Sequence, residues 1–454
     1  MKIILTHGYT DTNKGDAAIA LGTIAMIRRI LPGAEIHSHS LYSERHPGFS
    51  NHSNSTRRAG VQVIEGLMPS PYLEDAGSGL LHHVRAGLRL GWEMFCLMAL
   101  WFLPRLTWLH PQKARALEDI RGADLVIVRG GQYLHNESGR LRGLVYLARM
   151  LLNIAIPIRL ERPTVVWGLS MGPVHGALAT RWLRDTMRGC HRIVVREALS
   201  ADFLHTLGVV EGVSVTPDLA FVTQPAHTSP AGAMLPPRPW IGVTVVHWSF
   251  PGNPEPAAAQ QSYLETIAEA LVTAHLKLGL SPVLVEQVTA QHHGQYDRPL
   301  LASLVERLKA AGVPATILTE DLSPAELSAF YGQCDVVLAT RLHTVILAAC
   351  AGTPAVAISY QGFKTQGIMR SLNLERYTHD ISSVSSAAIT KSLVDVLSRQ
   401  AELRADITNR VEENRRAIAR SAEMILGPFR QGPAESGETP GNASELDAHS
   451  SAHP

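Results

Sequence analysis

Cys334-Asp335-Val336-Val337-Leu338-Ala339-Thr340-Arg341-Leu342-His343 is the stretch on which the fold turns. An apolar run of strand length, 334–339, gives way within a few residues to a short helical segment, 344–351, which Gly352-Thr353-Pro354 ends. A second apolar strand, 355–360, follows at once. Strand, helix, strand in such quick succession is one unit of a parallel α/β layer. Upstream the same rhythm gives strand 241–246, helix 258–279, strand 282–286, helix 297–311, strand 314–318 and helix 324–332; downstream, 384–427 is helical.

Nearer the N-terminus the rhythm appears again. Strand 2–6 precedes a helical run that Gly15-Asp16 open and Pro32-Gly33 end. Strands follow at 34–39, 124–129, 164–169 and 192–196, with a helix at 141–160. Residues 223–239, TQPAHTSPAGAMLPPRP, are rich in proline and carry no periodicity, which makes them a linker. The expected organisation is therefore α/β, with two Rossmann-like domains facing across a cleft. The first spans 1–225 with a hydrophobic helical insertion at 85–118, and the second spans 238–428. A tail at 429–454, almost free of large apolar residues, is expected to be disordered.

Composition narrows the function. A length of 454 residues suits two or three domains. Lys and Arg total 41 against 40 Asp and Glu, a balance that offers no field for a nucleic-acid backbone. Cys96, Cys190, Cys334 and Cys350 show neither C-x-x-C nor zinc spacing and read as reduced thiols of a cytosolic protein. The opening residues are too short an apolar run for a secretory signal. Residues 88–109, LRLGWEMFCLMALWFLPRLTWL, approach the length of a membrane span, but Arg89, Glu93, Pro104 and Arg105 interrupt them. Three tryptophans and flanking arginines suit a helix lying in a bilayer face; a helix packed on its own domain is the other reading.

In open parallel sheets ligands bind beyond the carboxyl ends of the strands. Those ends carry a glycine-bearing loop into a helix (His7 to Asp16), Gly130-Gly131-Gln132, Ser170, Arg196-Glu197, Arg341-Leu342-His343, and Lys364. An arginine and a histidine at the first turn of a helix can hold phosphate or carboxylate and exchange a proton. The plainer alternative is that Arg341 pairs with a nearby carboxylate and His343 caps the helix. Asp16 is either an N-cap or a contact to a substrate hydroxyl. No G-x-G-x-x-G, G-x-x-x-x-G-K-[ST] or G-x-S-x-G is present. Of the 21 histidines, His37-Ser38-His39, His82-His83 and His292-His293 form local groups without a Cys or carboxylate at ligand spacing, so no metal site is expected.

Taken in order, Asn13-Lys14-Gly15-Asp16-Ala17-Ala18-Ile19, Gly130-Gly131-Gln132-Tyr133-Leu134, Ser170-Met171-Gly172-Pro173, Val195-Arg196-Glu197, Pro217-Asp218-Leu219-Ala220-Phe221 and Arg341-Leu342-His343 with Lys364 resemble the polysaccharide pyruvyl transferase family. The resemblance runs from residue 1 to about 375. Gln132 stands where a third glycine is common and Asn136 where an aspartate is common. It implies a glycosyltransferase-B-type (GT-B) fold and transfer of the enolpyruvyl group of phosphoenolpyruvate onto two hydroxyls of a sugar, forming a cyclic ketal and releasing phosphate. By similarity Arg196, Arg341 and Lys364 would hold the donor and His343 would be the general acid. Asn13, Asp16, Gly130, Gly131 and Gln132 would face the acceptor. No cofactor is implied beyond phosphoenolpyruvate as substrate; the sugar acceptor would be a polysaccharide or glycolipid precursor, lipid-linked, met at the inner face of the cell membrane through 88–109. The rival readings are a nucleotide-sugar glycosyltransferase or epimerase of the same architecture, and a non-catalytic carbohydrate-binding subunit.

Overall fold

The computed structural model describes residues 1–71, 80–136, 141–228, 235–289, 296–360 and 364–430. The tail expected to be disordered lies, from 431 on, outside these residues, as do linker positions 229–234. Eight strands form the first sheet: β1 (Lys2–Gly8), β2 (Glu35–Ser40), β3 (Gln62–Glu65), β4 (Leu125–Val128), β5 (Gly131–Asn136), β6 (Thr164–Val174), β7 (Arg192–Val195) and β8 (Val213–Val215). Six form the second: β9 (Trp240–Thr244), β10 (Ser281–Val285), β11 (Thr316–Leu318), β12 (Val336–Ala339), β13 (Ala355–Ser359) and β14 (Thr378–Asp380). The pairings of these strands are parallel, so crossovers are helical and central strands such as β4 and β12 are apolar throughout.

In the first lobe the helices are α1 (Lys14–Ile30), α2 (Asn54–Arg58), α3 (Leu80–Phe102), α4 (Pro111–Arg121), α5 (Leu141–Arg159), α6 (Ala177–Arg188) and α7 (Ala198–Thr206). Those that follow are α8 (Pro256–Leu278), α9 (Arg298–Ala310), α10 (Pro324–Gly332), α11 (Leu342–Cys350), α12 (Lys364–Ser371), α13 (Ser386–Ser398) and α14 (Gln400–Leu426). The hydrophobic insertion is thus two helices, α3 and α4, with a turn of 3₁₀ helix at 107–109 between them.

The first sheet is ordered β3-β2-β1-β4-β6-β7-β8, and the second β11-β10-β9-β12-β13-β14. Each begins with the 3-2-1-4 order of a Rossmann sheet, and the two face each other across a cleft as in GT-B folds. One expectation needs correction. Gly131–Asn136, for which the sequence predicts no strand, is strand β5, because β6 runs on to Val174 beyond the body of the sheet and offers it a free edge.

The lobes share a core. One hydrophobic cluster runs from Ile3 and Trp167 through Phe221 to Leu338 and Ile425. Helix α14, which the sequence groups with the second lobe, crosses back to the first. Its Ser421 Oγ accepts from Trp167 Nε1 (3.2 Å), and its Arg415 donates to the carbonyls of Phe221 (3.0 Å) and Thr223 (2.8 Å). Across the cleft, Asn13 bridges Val288 in antiparallel fashion, Lys14 N donates to Gln287 O (2.9 Å), and Lys14 Nζ meets Asp321 (2.5 Å).

The tightest backbone approach in this shared core lies at Gly22 of α1, where a Cβ would stand 2.3 Å from Leu219 O. Gly22→Ala is therefore expected to destabilise the chain by about 1–3 kcal/mol through overpacking, seen as a lower melting temperature. An unchanged melting temperature would contradict this packing.

Candidate active site

Strand order reverses between β1 and β4 in one sheet and between β9 and β12 in the other, so crossover helices leave to opposite faces and a crevice opens at the carboxyl ends. Loop 9–13 follows β1, Gly130 follows β4, and Arg341 follows β12. Asn13, Asp16, Gly130, Gly131, Gln132, Arg196, Arg341, His343 and Lys364 all line one cavity of about 590 Å³ between the lobes.

The first turn of α1 assigns its residues separate tasks. Asn13 is the N-cap, its side chain accepting from Gly15 N (3.1 Å). Asp16 is freed from capping and faces the cavity, where burial raises its carboxyl above the ordinary value. Gly15 has no room for a side chain: a Cβ would lie 2.1 Å from His343 Nδ1. The imidazole of the second lobe thus rests directly on the backbone of the first. Gly130 is similarly confined, a Cβ there meeting Gly168 O at 2.7 Å. Asn136 spends both ends of its amide on His175, accepting from N (2.6 Å) and donating to O (2.9 Å), which an aspartate could not do.

Both arginines are held by buried carboxylates. Arg196 donates to Asp218 Oδ2 (2.6 Å) and to Ser170 Oγ (2.6 Å), and Glu197 steadies it through Ser170 Oγ (2.9 Å). Arg341 Nη2 donates to Asp297 Oδ1 (2.5 Å), while Asp297 Oδ2 accepts from Gln287 N and Val288 N (both 2.9 Å). Arg341 therefore pairs with a carboxylate, as the plainer alternative has it, and also lines the cavity, whereas His343 lies inside α11 and does not cap it. His343 sits in the first turn of α11, with Nε2 3.6 Å from Asp218 Oδ2. Burial alone would raise the Asp218 carboxyl, but Arg196 and His343 outweigh it and hold the group well below the usual range. The N-cap of α11 is Arg341, whose side chain makes no capping bond; Thr344 N donates to Arg341 O (3.1 Å), and the N–H groups of Leu342 and His343 remain to face an anion. At Lys364, burial and then the nearby Arg196 charge pull the ammonium down to about 7.

The opposite wall is aromatic. His7 stacks on Tyr133 with ring centres 4.4 Å apart, and its Nε2 meets Met150 O (3.0 Å). Burial pushes its imidazole down to about 3, so it stays neutral and is no second acid. Tyr9, Tyr42 and Tyr146 continue this wall, and Arg149 of α5 adds a further cation. Sequence reading took in His7, Tyr9 and Tyr133 only as members of a loop and a motif block, and missed Tyr42, Tyr146 and Arg149, along with the supporting roles of Asp218 and Asp297. Asp218 had a signal in the Pro217-Asp218-Leu219 block; Arg149, in mid-helix, had none.

Of the histidines considered as metal ligands, His292-His293 lie outside the described residues, and His37 and His39 share a carboxylate from far along the chain. Asp119 accepts from both His37 Nδ1 and His39 Nε2 (each 2.8 Å) and also meets Lys2 Nζ (2.5 Å). Glu65, Glu93 and His110 bring ligand atoms within 4.8 Å of one another, but the ammonium of Lys113 lies 2.5 Å from Glu93 and supplies the positive charge there.

Because Asp218 is fully buried between a guanidinium and an imidazole, Asp218→Ala is expected to cost about 3–5 kcal/mol of stability in denaturant unfolding, as removal of one partner of a buried pair does. A loss below about 1 kcal/mol would show that Arg196 is held by its other partners alone.

The model of the family described as polysaccharide pyruvyl transferase matches residues 13–362. The amylovoran biosynthesis protein AmsJ of Erwinia amylovora is 23% identical over 426 residues, covering 91% of this chain and 96% of that protein. Among solved structures, Anabaena Alr3699/HepE in complex with UDP and glucose superposes with a TM-score of 0.51 at 12% identity, over 94% of this chain and 99% of that one. A putative UDP-N-acetylglucosamine 2-epimerase from Listeria monocytogenes gives 0.53 at 10% identity, over 95% and 97%. At such identities these structures speak for the fold alone. The family match extends over the greater part of the chain and takes in Asn13, Gly130, Arg196 and the Arg341-Leu342-His343 turn: this chain belongs to the polysaccharide pyruvyl transferase family.

Proposed function

We propose that this protein transfers the enolpyruvyl group of phosphoenolpyruvate onto two hydroxyls of a sugar, closing a pyruvate ketal and releasing phosphate. The observation that carries the reading is the ring of cations, Arg196, Arg341 and Lys364, about one imidazole at an uncapped helix N-terminus. The donor holds nearly three negative charges on few atoms, and two pre-positioned guanidinium forks suit its carboxylate and phosphate. The His343 imidazolium gives its proton to the methylene carbon, which becomes a methyl group. The adjacent carbon takes on oxocarbenium character, and a first sugar hydroxyl attacks it, its proton restoring the imidazolium. The bond to phosphate breaks, phosphate leaves with the second hydroxyl's proton, and that hydroxyl closes the ring. Arg196, Arg341 and the α11 N-terminus are placed to neutralise the departing phosphate. Asp218 Oδ2, 3.6 Å from Nε2, is placed to orient the imidazole.

The acceptor meets the donor from the first lobe, past Asp16, Gln132 and the tyrosines. We assign it to an envelope polysaccharide or glycolipid precursor, lipid-linked and presented at the inner face of the cell membrane, in keeping with the amylovoran relative's name. No cofactor is assigned; phosphoenolpyruvate is consumed as substrate.

Phosphoenolpyruvate is expected to raise the melting temperature by a few degrees, and UDP-sugars are not. Stabilisation by UDP-glucose alone would favour the glycosyltransferase reading. His343→Ala should keep that shift yet lose transfer about 100- to 10,000-fold, measured as labelled pyruvate on sugar; unimpaired transfer would leave a different acid to be found. Lys364 carries its positive charge below about 7 and loses it above, so donor affinity should fall as pH rises from 6 to 9. Lys364→Arg, which stays charged, should flatten that dependence; an unaltered pH profile would place the titrating group elsewhere.

A further inference from the structure

Helix α3 wears its polarity inside out. Its lone carboxylate, Glu93, points into the lobe, where Lys113 Nζ lies 2.5 Å away and His110 Nε2 3.4 Å. Lys113 is wholly buried and also donates to Leu67 O. Burial alone would raise the Glu93 carboxyl, but His110 and Lys113 together hold it at about 2. Rolling the helix to bring Glu93 to water would leave Lys113 as an unpaired buried charge, a severe penalty. The ion pair therefore fixes the roll of α3.

With the roll fixed, Val84, Leu88, Trp92, Phe95, Met98 and Phe102 follow one another at steps of three and four along the water-facing side. Leu88 is 71% exposed and Phe102 76%, and Trp108 in the turn beyond is 73% exposed. Glu93 is the sole carboxylate between 81 and 110, so the exposed charges on this stretch, Arg85 and Arg105, are both positive. The 23 residues of α3 make a rod of about 34 Å.

We infer that this face of α3 docks in the plane of an anionic lipid bilayer. Apolar side chains enter the headgroup boundary, the tryptophans sit at its level, and the arginines meet lipid phosphates. A second copy is a poorer occupant, because a two-fold contact through the stripe gathers Arg85 and Arg105 of both chains with no acid to offset them. The helix also reaches the rim of the cavity. Arg89 donates to Pro71 O (3.2 Å), and neighbouring Ser70 lines the cavity. Helix α5, which supplies Tyr146 and Arg149 to the same cavity, leaves Leu141 and Val145 exposed at its start. Docking thus brings the mouth of the site to the lipid surface, where a saccharide on a lipid anchor is presented. The choice of acceptor rests on the proposed function; the docking does not.

The test is flotation of the full chain with phosphatidylcholine vesicles containing or lacking phosphatidylglycerol. Binding to the anionic vesicles, weakened by salt, is expected. Leu88→Glu, Phe95→Glu and Phe102→Glu together should lower the partition coefficient about tenfold or more, with the melting temperature and the phosphoenolpyruvate shift unchanged. Arg85→Glu with Arg105→Glu should lower binding to anionic vesicles about tenfold and leave neutral ones unaffected. Without relying on how these variants fold, brominated lipids should quench wild-type tryptophan fluorescence, and Trp92→Phe with Trp108→Phe should remove most of that quenching. Failure of the wild type to float, or undiminished flotation of the apolar variant, overturns the inference. So does a lipid-free dimer, seen in sedimentation, that the apolar variant abolishes, since it gives the face to a second copy. Lost flotation with pyruvyl transfer intact removes the docking alone; absent transfer with flotation intact removes the reaction alone.

Discussion

A single buried carboxylate couples the two lobes at the site. Asp218 comes from the turn after β8, has no solvent exposure, caps residues 219–222 through Ala220 N, binds Arg196 at 2.6 Å and lies 3.6 Å from the His343 imidazole. A charge so deeply placed is tolerable only while its partners stay put. The position of the guanidinium in one lobe and the imidazole in the other are thus conditions of the same fold, and the residues that hold the turn, Gly22, Arg415 and the α14 crossing, serve the site from a distance.

The second arginine follows the same logic with different parts. Asp297 binds Arg341 and, with its other oxygen, the two backbone amides of the segment that pairs with loop 12–14 across the cleft. Both cations are fixed before any ligand arrives, so little side-chain ordering is left to oppose binding. Lys364 differs: crowded by burial and by Arg196, it holds its proton weakly.

Much of this was legible because apolar strands end abruptly in chemistry. Arg196, Arg341, Lys364 and Gly130 stand out at strand ends, and a parallel sheet gathers such ends at one edge. What stayed hidden depended on distance along the chain. Asp297 is 44 residues from Arg341, and Asp119 is 80 residues from His39, so no spacing rule joins them. β5 was hidden because Gly131-Gln132 looks like a turn, and only the overlong β6 gives it an edge to pair with. The hydrophobicity of α3 was plain, but which side it shows depends on Lys113, a residue beyond the end of that helix.

The contact between Gly15 and His343 has a bearing on modularity. Two-lobed enzymes invite the exchange of halves, one specifying the nucleophile and the other the activated group. Here the first helical turn of one half is the bed on which the His343 imidazole of the other half lies, with no space for even a methyl group between them. A chimaera joined at the proline-rich connection inherits this fit only if both parents place that turn at the same height, so recombination within the family has to carry the opening loop along with the imidazole it supports.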